Sequence, residues 1–233
     1  MKKLKRAYKR IGHFLNSLVF KGKTLEECFT KIYEKNKWGK KSGFKYYSGY
    51  GSGNPEYIKD YLNVIKEYVE KNDIKSVVDL GCGDFQIGKK IIENNDILYH
   101  GVDIVAPLIE YNNKKYASDK INFYVLDVTK DKLPQGDLCL VRQVLQHLSN
   151  VEIANVLDNI KQYKHIIVTE HVPLDENLDK PNKDKTHGQH TRLTINSGVY
   201  LDYSPFNKKI EVIHSVTETE SLYGGKIVTF ELL

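Results

Sequence analysis

Short apolar segments alternate with helical segments through the middle of the chain, and this alternation constrains the fold more than any other feature. Strands are predicted at residues 76–80, 98–105, 121–128, the start of 137–148, and 165–172. Helices are predicted between them at residues 85–95, 106–117 and 150–163, the last with Asn150 as N-cap. Residues 210–216 and 226–232 are predicted to form a closing antiparallel pair. The pattern is typical of βαβ units, so we expect an α/β fold with a mostly parallel sheet covered on both faces.

Two helices are predicted between the basic N-terminal segment and the first strand. The segment 24–39 begins with Thr24 and has Glu27 three residues later, which is the pattern of a capping box. A polar loop rich in glycine and tyrosine follows at 40–55, and helical periodicity returns at 55–72. We therefore predict an N-terminal helical extension at residues 1–41 and one domain at residues 42–233.

Basic residues are concentrated at the N-terminus. Residues 1–24 hold eight Lys or Arg and no acid, whereas the rest of the chain has 27 basic and 30 acidic residues. An acidic body makes a nucleic acid an unlikely main partner, because a phosphate backbone is bound through positive charge. The basic segment carries apolar residues at helical spacing, namely Leu4, Tyr8, Ile11, Phe14, Leu15 and Leu18. Such a helix can contact an anionic membrane weakly, but we favour a lid or docking helix with a buried apolar stripe.

The three cysteines indicate a reducing compartment. Cys28, Cys82 and Cys139 are an odd number without metal-ligand spacing, and the last two lie in apolar surroundings. The N-terminus lacks the continuous apolar core of a secretory signal, and no segment reaches the apolar length that spans a bilayer. We expect a cytoplasmic protein that is a monomer or a homodimer.

A glycine loop follows the first predicted strand. Gly81 and Gly83 lie between Asp79 and Asp84, but Gln86 stands where a dinucleotide fingerprint has its third glycine. A Walker-type loop is excluded because no G-K-[ST] follows. The Asp84 carboxylate would repel a pyrophosphate, whereas it suits a cationic or zwitterionic ligand.

Acidic residues also end the next two predicted strands. Asp103 comes about twenty residues after the loop, where an acid can accept both hydroxyls of a ribose. Asp127 ends the third strand and is placed to bind an adenine amino group, with Val128 beside the ring. An adenosine without phosphates, joined to a charged amino-acid-like tail, is S-adenosylmethionine (SAM), whose product is S-adenosylhomocysteine (SAH).

The ordered motifs "VVDLGCGDF", "YHGVDIV", "FYVLDVT" and "DLCLVRQVLQHL" resemble those of class I SAM-dependent methyltransferases. The resemblance covers about residues 42–170 and implies a Rossmann-like fold. The segments "YSGYGSG", "CGDF" and "DLCLVRQVLQHLS", with the later "RLT" and "PF", resemble small bacterial methyltransferases often found among capsule and O-antigen genes. Phe85 departs from the common E/D-x-G-x-G-x-G pattern, and we expect it to narrow the pocket floor.

The resemblance implies a set of cofactor contacts. Gly81 and Gly83 would approach the methionine moiety, with Asp79 orienting the loop or the ligand ammonium. The remaining implied cofactor residues are Asp84, Asp103, Ile104, Asp127, Val128, Arg142, Gln143, Tyr50 and Ser52. Tyr47, on the same loop as Tyr50 and Ser52, would close over the cofactor and contact the substrate.

Candidates for acceptor chemistry are mainly histidines. Methyl transfer to a hydroxyl benefits from a base, and His147, Glu170, His171 and His190 are the catalytic candidates. His147 is equally a candidate for simply ordering its loop. His187 and Arg192 are predicted to bind substrate, Arg192 through an anionic group of the acceptor. A divalent metal on Glu170, His171, His187 and His190 is an alternative, but no spacing here is diagnostic, so none is predicted.

Together these features predict an enzyme that transfers a methyl group from SAM to a small or sugar-like acceptor in surface-glycan biosynthesis. The first alternative is an RNA or other nucleic-acid methyltransferase that grips its substrate with the basic N-terminus. Against it stand the acidic body and "VRQV" where an N/D-P-P-Y-type motif would follow the fourth strand. The second alternative is a SAM-binding protein without catalytic activity.

Overall fold

A computed structural model of the chain describes residues 20–49, 51, 55–93, 95–218 and 224–233. Within these residues seven strands form one sheet. They are β1 (Ser76–Leu80), β2 (Leu98–Asp103), β3 (Ile121–Val125), β4 (Leu138–Arg142), β5 (His165–Val172), β6 (Ile210–Glu218) and β7 (Gly225–Leu232). The strand order across the sheet is β3-β2-β1-β4-β5-β7-β6.

The first five strands are parallel, and the last two are antiparallel. β1 pairs with both β2 and β4, so the strand order reverses at β1. β7 pairs antiparallel with β5, and β6 pairs antiparallel with β7. The predicted α/β fold with an antiparallel C-terminal pair is confirmed, and ligands of such sheets bind beyond the carboxyl ends of the strands at the reversal point.

Five helices are described around the sheet. They are α1 (Leu25–Glu34), α2 (Pro55–Lys71), α3 (Gln86–Glu93), α4 (Ala106–Tyr116) and α5 (Asn150–Ile160). Thr24 and Glu27 form the predicted capping box of α1, each accepting a backbone N–H from the other residue. The predicted N-cap of α5 was wrong by one residue. Ser149 caps it in a second capping box with Glu152, because a hydroxyl before the helix can reach the Glu152 N–H.

Both faces of the sheet are buried by helices. On one face, Val78 packs in a cluster with Ile153 and Val156 of α5. On the other, Val77 packs in a cluster with Ile65 of α2 and with residues of α3 and α4. Consecutive strand residues point to opposite faces of a sheet. Val77 and Val78 of β1 are both buried, so helices must cover both faces of the sheet at this strand.

Phe85 does not narrow the pocket floor, contrary to the expectation. It has φ +63°, a left-handed backbone conformation that glycine adopts more readily than other residues, and its ring is almost fully buried. The ring contacts Tyr99 and Phe123 with centroids 5.1 and 4.9 Å away. Phe85 thus packs in the core, and helix α3 begins at the next residue, Gln86.

The described part of the predicted N-terminal extension packs on the sheet domain. Tyr33 of α1 forms a buried cluster with Val105 and with Leu108 of α4. The basic segment up to residue 19 lies outside the described residues, as do Tyr50 and Ser52. In the part of the chain that the structure describes, no helix combines the length and apolar character that crossing a membrane requires.

Candidate functional site

A cavity lies at the carboxyl ends of the parallel strands, beside the point where the strand order reverses. Most of the sequence-predicted cofactor residues line it. They are Asp79, Gly81, Gly83, Asp84, Asp103, Ile104, Asp127, Val128, Arg142 and Gln143, together with the catalytic candidate His147. The fold brings these residues together because each of them follows or ends one of four neighbouring strands.

The two glycines of the loop have left-handed backbone conformations, with φ +72° at Gly81 and +56° at Gly83. A Cβ on Gly81 would lie 2.4 Å from Val144 Cγ2, and one on Gly83 would lie 2.4 Å from Ser48 Oγ. Neighbouring side chains therefore exclude a methyl group at both positions. Packing of the loop against Val144 and Ser48 therefore requires glycine at both positions, whether or not a ligand also approaches the loop.

Asp103 is the last residue of β2, and both of its carboxylate oxygens accept backbone N–H groups. The Gly83 N–H donates to Oδ2 at 3.1 Å, and the Val105 N–H donates to Oδ1 at 3.1 Å. The side chain is nearly buried, and this burial raises the pKa of Asp103 to about 6 against the lowering effect of the backbone hydrogen bonds. Its carboxylate reaches the cavity with the protein donors already arranged around it.

Asp79 faces the cavity from the end region of β1. Tyr99 Oη donates a hydrogen bond of 2.6 Å to its Oδ2, from a position deep in the sheet. Burial raises the pKa of Asp79 to about 6, although the Tyr99 hydrogen bond and the Arg142 charge oppose the rise.

Arg142 is the last residue of β4 and Gln143 follows it, and both line the cavity. The guanidinium of Arg142 donates to the Gly51 carbonyl at 2.9 Å and lies over the Tyr61 ring, 5.0 Å from its centroid. Gln143 has φ +56°, which is a rare conformation for a side chain of this kind and is often found at functional sites. Its N–H donates to the Thr169 carbonyl, which holds the turn against β5.

Asp84 is tied to the N-terminal loop as well as to the helix that follows it. The Ser48 N–H donates to Asp84 Oδ2 at 3.1 Å, and the Asp84 N–H donates to Ser48 Oγ at 2.9 Å. The carboxylate also accepts hydrogen bonds from the backbone and side chain of Gln86, the first residue of α3. Asp84 thus combines a capping role with a place in the cavity wall, and burial raises its pKa.

Asp127 lies two residues beyond the end of β3 and holds a tight turn. It accepts hydrogen bonds from the Thr129 N–H at 3.0 Å and the Thr129 hydroxyl at 2.6 Å, both through Oδ1. Its other oxygen, Oδ2, lies 3.3 Å from Lys130 Nζ. The turn places Asp127 and Val128 together in the cavity wall.

The charges around the cavity favour a positively charged or zwitterionic ligand. Asp79 and Asp84 line it at the end of β1 and Asp103 at the end of β2, and Arg142 lines it at the end of β4. An anionic phosphate placed against these carboxylates would be repelled by all three of them. The predicted preference for a phosphate-free ligand is therefore consistent with the geometry.

His147 ends a short 3-10 turn and lines the same cavity. Its Nδ1 lies 3.1 Å from the Gly188 carbonyl, which can only accept, so Nδ1 carries the hydrogen and donates. Burial, followed by the charge of Lys185, lowers the pKa of His147 to about 3. The ring is neutral at pH 7, so the lone pair of the neutral tautomer is on Nε2.

The sequence reasoning missed one wall of the cavity. Leu25, Phe29 and Tyr33 of α1, with Trp38 after it, also line the cavity. They are the apolar face of the predicted capped helix, and that amphipathic face was the available signal. The periodicity does not predict which part of the protein the apolar face of α1 contacts. Only the tertiary structure shows that this face lines the cavity.

Glu170 and Arg192 are fully buried and do not line the cavity. Glu170 accepts the backbone N–H groups of Leu145 and Gln146, at 2.9 and 3.1 Å, and burial raises its pKa to about 8. Arg192 donates to the carbonyls of Leu148 and Lys183. The predicted substrate contact of Arg192 disagrees with its full burial, and both residues instead brace the turn that carries His147.

The other predicted acceptor residues are also not among those that line the cavity. His171 Nε2 is 3.8 Å from Glu218 Oε2, and His187 Nδ1 is 2.7 Å from Glu152 Oε1. His190 Nε2 is 3.0 Å from the amide nitrogen of Gln189. Tyr47 packs its ring beside Gly39 in the loop after α1.

Glu170, His171, His187 and His190, the alternative metal-ligand set, are directed to different partners. Glu170 faces backbone N–H groups, His171 faces Glu218, and His187 faces Glu152. Across the described ranges of the chain, no three His, Cys, Asp or Glu side chains are grouped closely enough to hold a metal ion.

Comparisons with known proteins agree with this architecture. A family model described as a methyltransferase domain matches residues 77–163. The chain is 28% identical over 166 residues to "O-methyltransferase 2" of Dictyostelium discoideum, a match that covers 61% of this chain and 48% of that protein. The chain thus spans about half the length of the curated relative that it matches.

Two solved structures share the fold at low sequence identity. N-methyltransferase NodS from Bradyrhizobium japonicum WM9, in complex with SAH, has a TM-score of 0.54 at 12% identity, covering 78% of this chain and 90% of NodS. The methyltransferase domain of bacterial-CtHen1-CN has a TM-score of 0.52 at 13% identity, covering 75% and 97% respectively. Residues 77–163 therefore match a methyltransferase-domain family model, and the chain shares the Rossmann-like fold of these solved methyltransferases.

Proposed function

We propose that this protein binds SAM and transfers its methyl group to a hydroxyl of a small or sugar-like acceptor. The observation that carries the proposal is the shared cavity: buried acids and a bare glycine loop on one side, and a neutral histidine on the other. SAM, when bound, supplies a methyl group activated by an adjacent sulfonium. The residues present fit this cofactor, since the carboxylates suit its positive charges and its hydroxyls.

The cofactor residues would divide their roles along the strand ends. The backbone of Gly81 and Gly83, with Asp79 beside it, would approach the amino-acid end of the ligand. Asp103, with its two backbone donors in place, would accept the ribose hydroxyls. Asp127 and Val128 would flank the adenine, with Ile104 on the neighbouring strand end. Arg142 and Gln143 would flank the methionine and sulfonium.

His147 would act on the acceptor hydroxyl. Its Nδ1–H is engaged by the Gly188 carbonyl, which fixes the ring orientation and leaves the lone pair on Nε2. Because burial disfavours the charged ring, His147 is a weak base in this structure. It would accept a hydrogen bond from the hydroxyl and take its proton only as the new bond to carbon forms and makes that hydroxyl strongly acidic. We expect alignment of the acceptor hydroxyl with the SAM methyl group to increase the rate more than the base does.

The acceptor class rests on the sequence resemblance rather than on the cavity. The resembling motifs are those of methyltransferases found among capsule and O-antigen genes, so we propose a glycan precursor of a bacterial surface polysaccharide as the acceptor. A nucleotide- or lipid-linked precursor is favoured over the free sugar. The enzyme would work in the cytoplasm as a monomer or homodimer.

Calorimetry with SAH, followed by an acceptor screen with radiolabelled SAM, tests this function. We expect SAH to bind and NAD not to bind, because the loop acids oppose a pyrophosphate. Activated sugars and glycan fragments should take up label, each assayed with and without a chelator. Binding of NAD in place of SAH would overturn the proposal.

The screen also separates the alternatives. An RNA substrate that took up label, with binding that weakened steeply as salt increased, would replace the glycan acceptor with a nucleic acid. SAH binding without turnover on any acceptor would leave a cofactor-binding protein without the proposed transfer.

A further inference from the structure

Helix α1 and the loop that follows it cover the cavity and contact both of its sides. Tyr33 lines the cavity and is nearly buried, and its hydroxyl is 2.9 Å from Ser48 Oγ. Ser48 in turn exchanges two hydrogen bonds with Asp84 of the glycine loop. We call residues 25–48 the cap. At this end the cap is tied to the loop on which the methionine moiety would lie.

The other end of the cap contacts the acceptor side. Trp38 donates its indole N–H to the Gln189 carbonyl at 3.1 Å, and its ring centroid is 5.4 Å from that of His147. His147 and Gly188 are paired twice, through the His147 ring and through the Gly188 N–H, which donates to the His147 carbonyl. Trp38 therefore packs on the histidine and is bonded to the segment that orients it.

The two ends of the cap touch each other. The ring centroids of Tyr33 and Trp38 are 5.1 Å apart in an edge-to-face arrangement. Contacts thus run without a gap from Asp84 through Ser48, Tyr33 and Trp38 to His147. In a closely packed structure a shift at one member has to be accommodated by the next.

We propose that Trp38 is a positioning residue for His147, and that the Ser48–Asp84 tie makes the position of Trp38 depend on whether the cofactor occupies the glycine loop. This inference rests on the proposed function, and it adds a coupling between the cofactor and acceptor sides. The acceptor site would be completed only after the cofactor has bound.

Intrinsic fluorescence offers a direct test, because Trp38 is the single tryptophan of the chain. Titration with SAH should change the Trp38 emission with a midpoint equal to the dissociation constant from calorimetry. Ser48→Ala should weaken SAH binding about two- to tenfold, as loss of neutral hydrogen bonds does. It should also at least halve the emission change at saturation. Ser118→Ala, on the turn before β3, is the matched control and should behave as the wild type.

A second measurement tests the positioning role without a cofactor. NMR titration of the histidine ring signals follows the pKa of His147, which the packed indole helps to keep low by excluding water. Lys185, whose ammonium donates to the His147 carbonyl, and His190 also face this histidine, and neither residue is changed in the variants. Trp38→Ala should raise the pKa of His147 towards its ordinary value, and Trp38→Phe should restore most of the lowering.

The outcomes are separable. An unchanged pKa of His147 in a folded Trp38→Ala variant would overturn the positioning role. SAH binding seen by calorimetry with no change of Trp38 emission would overturn the coupling. Absence of SAH binding would overturn the proposed function and the coupling together, while the NMR titration would still decide the positioning role. Thermal melting of each variant identifies any that fails to fold. If Trp38→Ala fails, Trp38→Leu, which also removes the aromatic ring from His147, serves in its place with the same expected rise in the pKa of His147.

Discussion

The backbone N–H of Gly83 donates a hydrogen bond of 3.1 Å to Oδ2 of Asp103, so the glycine loop and the acid at the end of β2 are in direct contact. The two features lie twenty positions apart in the sequence, and each was assigned to a different part of the same ligand. Because the Gly83 N–H donates to this carboxylate, a change at Asp103 should affect both the proposed ribose contact and the position of the glycine loop.

We predict that Asp103→Asn weakens SAH binding about ten- to hundredfold, since a charged acceptor for the ribose hydroxyls is replaced by a neutral one. Calorimetry measures the affinity, and thermal melting shows that the variant is folded. Asp158→Asn removes a carboxylate exposed on α5 and should leave SAH affinity unchanged. Equal affinities for wild type and Asp103→Asn would contradict the ribose assignment.

We predict that SAH affinity falls as the pH drops below about 6. Burial raises the pKa values of Asp79 and Asp103 to about 6, so both acids gain protons there in the absence of ligand. A ligand with an ammonium and hydroxyl donors binds the ionised acids better, so affinity should decrease by up to about tenfold per pH unit for each proton taken up. Affinity should be level between pH 7 and 8.

Calorimetry in buffers of different ionisation heat measures whether SAH binding releases or takes up protons. Binding near pH 6 should release protons from the protein, and binding near pH 8 should release few. Affinity that increased towards pH 5 would mean that these acids do not face the bound cation.

We predict that Gly83→Ala destabilises the fold more than Gly22→Ala does. Both positions are left-handed, at φ +56° and +77°, so each substitution costs about 1–2 kcal/mol of backbone strain. Only at Gly83 does the new Cβ meet a neighbour, 2.4 Å from Ser48 Oγ, while nothing lies within 4 Å at Gly22. The extra overpacking should add about 1–3 kcal/mol. Urea unfolding compares the two, and equal losses would argue against the crowded loop.

We predict that His147→Gln lowers kcat about 10²- to 10⁴-fold on the acceptor identified by the screen, as loss of a general base does. SAH affinity should stay within about threefold of the wild type, because the cofactor acids are untouched. His214→Gln, on strand β6, controls for loss of a histidine away from the cavity. A normal kcat in His147→Gln would leave this residue with the loop-ordering role alone.

We predict that Arg192→Met acts on stability and not on acceptor binding. It leaves the buried carbonyls of Leu148 and Lys183 without their donors, which should cost about 2–5 kcal/mol in the free energy of unfolding. Lys208→Met, at an exposed position, should cost little. A raised KM for the acceptor with unchanged stability would restore the substrate role that the sequence predicted for Arg192.

Much of the cofactor side could be predicted from the sequence. The residues concerned follow buried apolar strands, and parallel strands bring their carboxyl ends to one edge, so Asp79, Asp103 and Asp127 had to be neighbours. The acceptor side could not be predicted in this way. His171 lies near the end of β5, and His187 and Arg192 lie in the long segment between β5 and β6. The surroundings of all three depend on packing with distant residues. In the structure these three side chains face Glu218, Glu152 and backbone carbonyls.

Local patterns in the chain determined the alternation of strands and helices, the capping box of α1 and the acids at the strand ends, because each depends on neighbours a few residues away. Only the tertiary structure decided that α1 covers the cavity, that Trp38 packs on His147, and that Phe85 points into the core. These contacts join residues far apart in sequence, and the competition among apolar surfaces for burial is resolved only when the whole chain is packed.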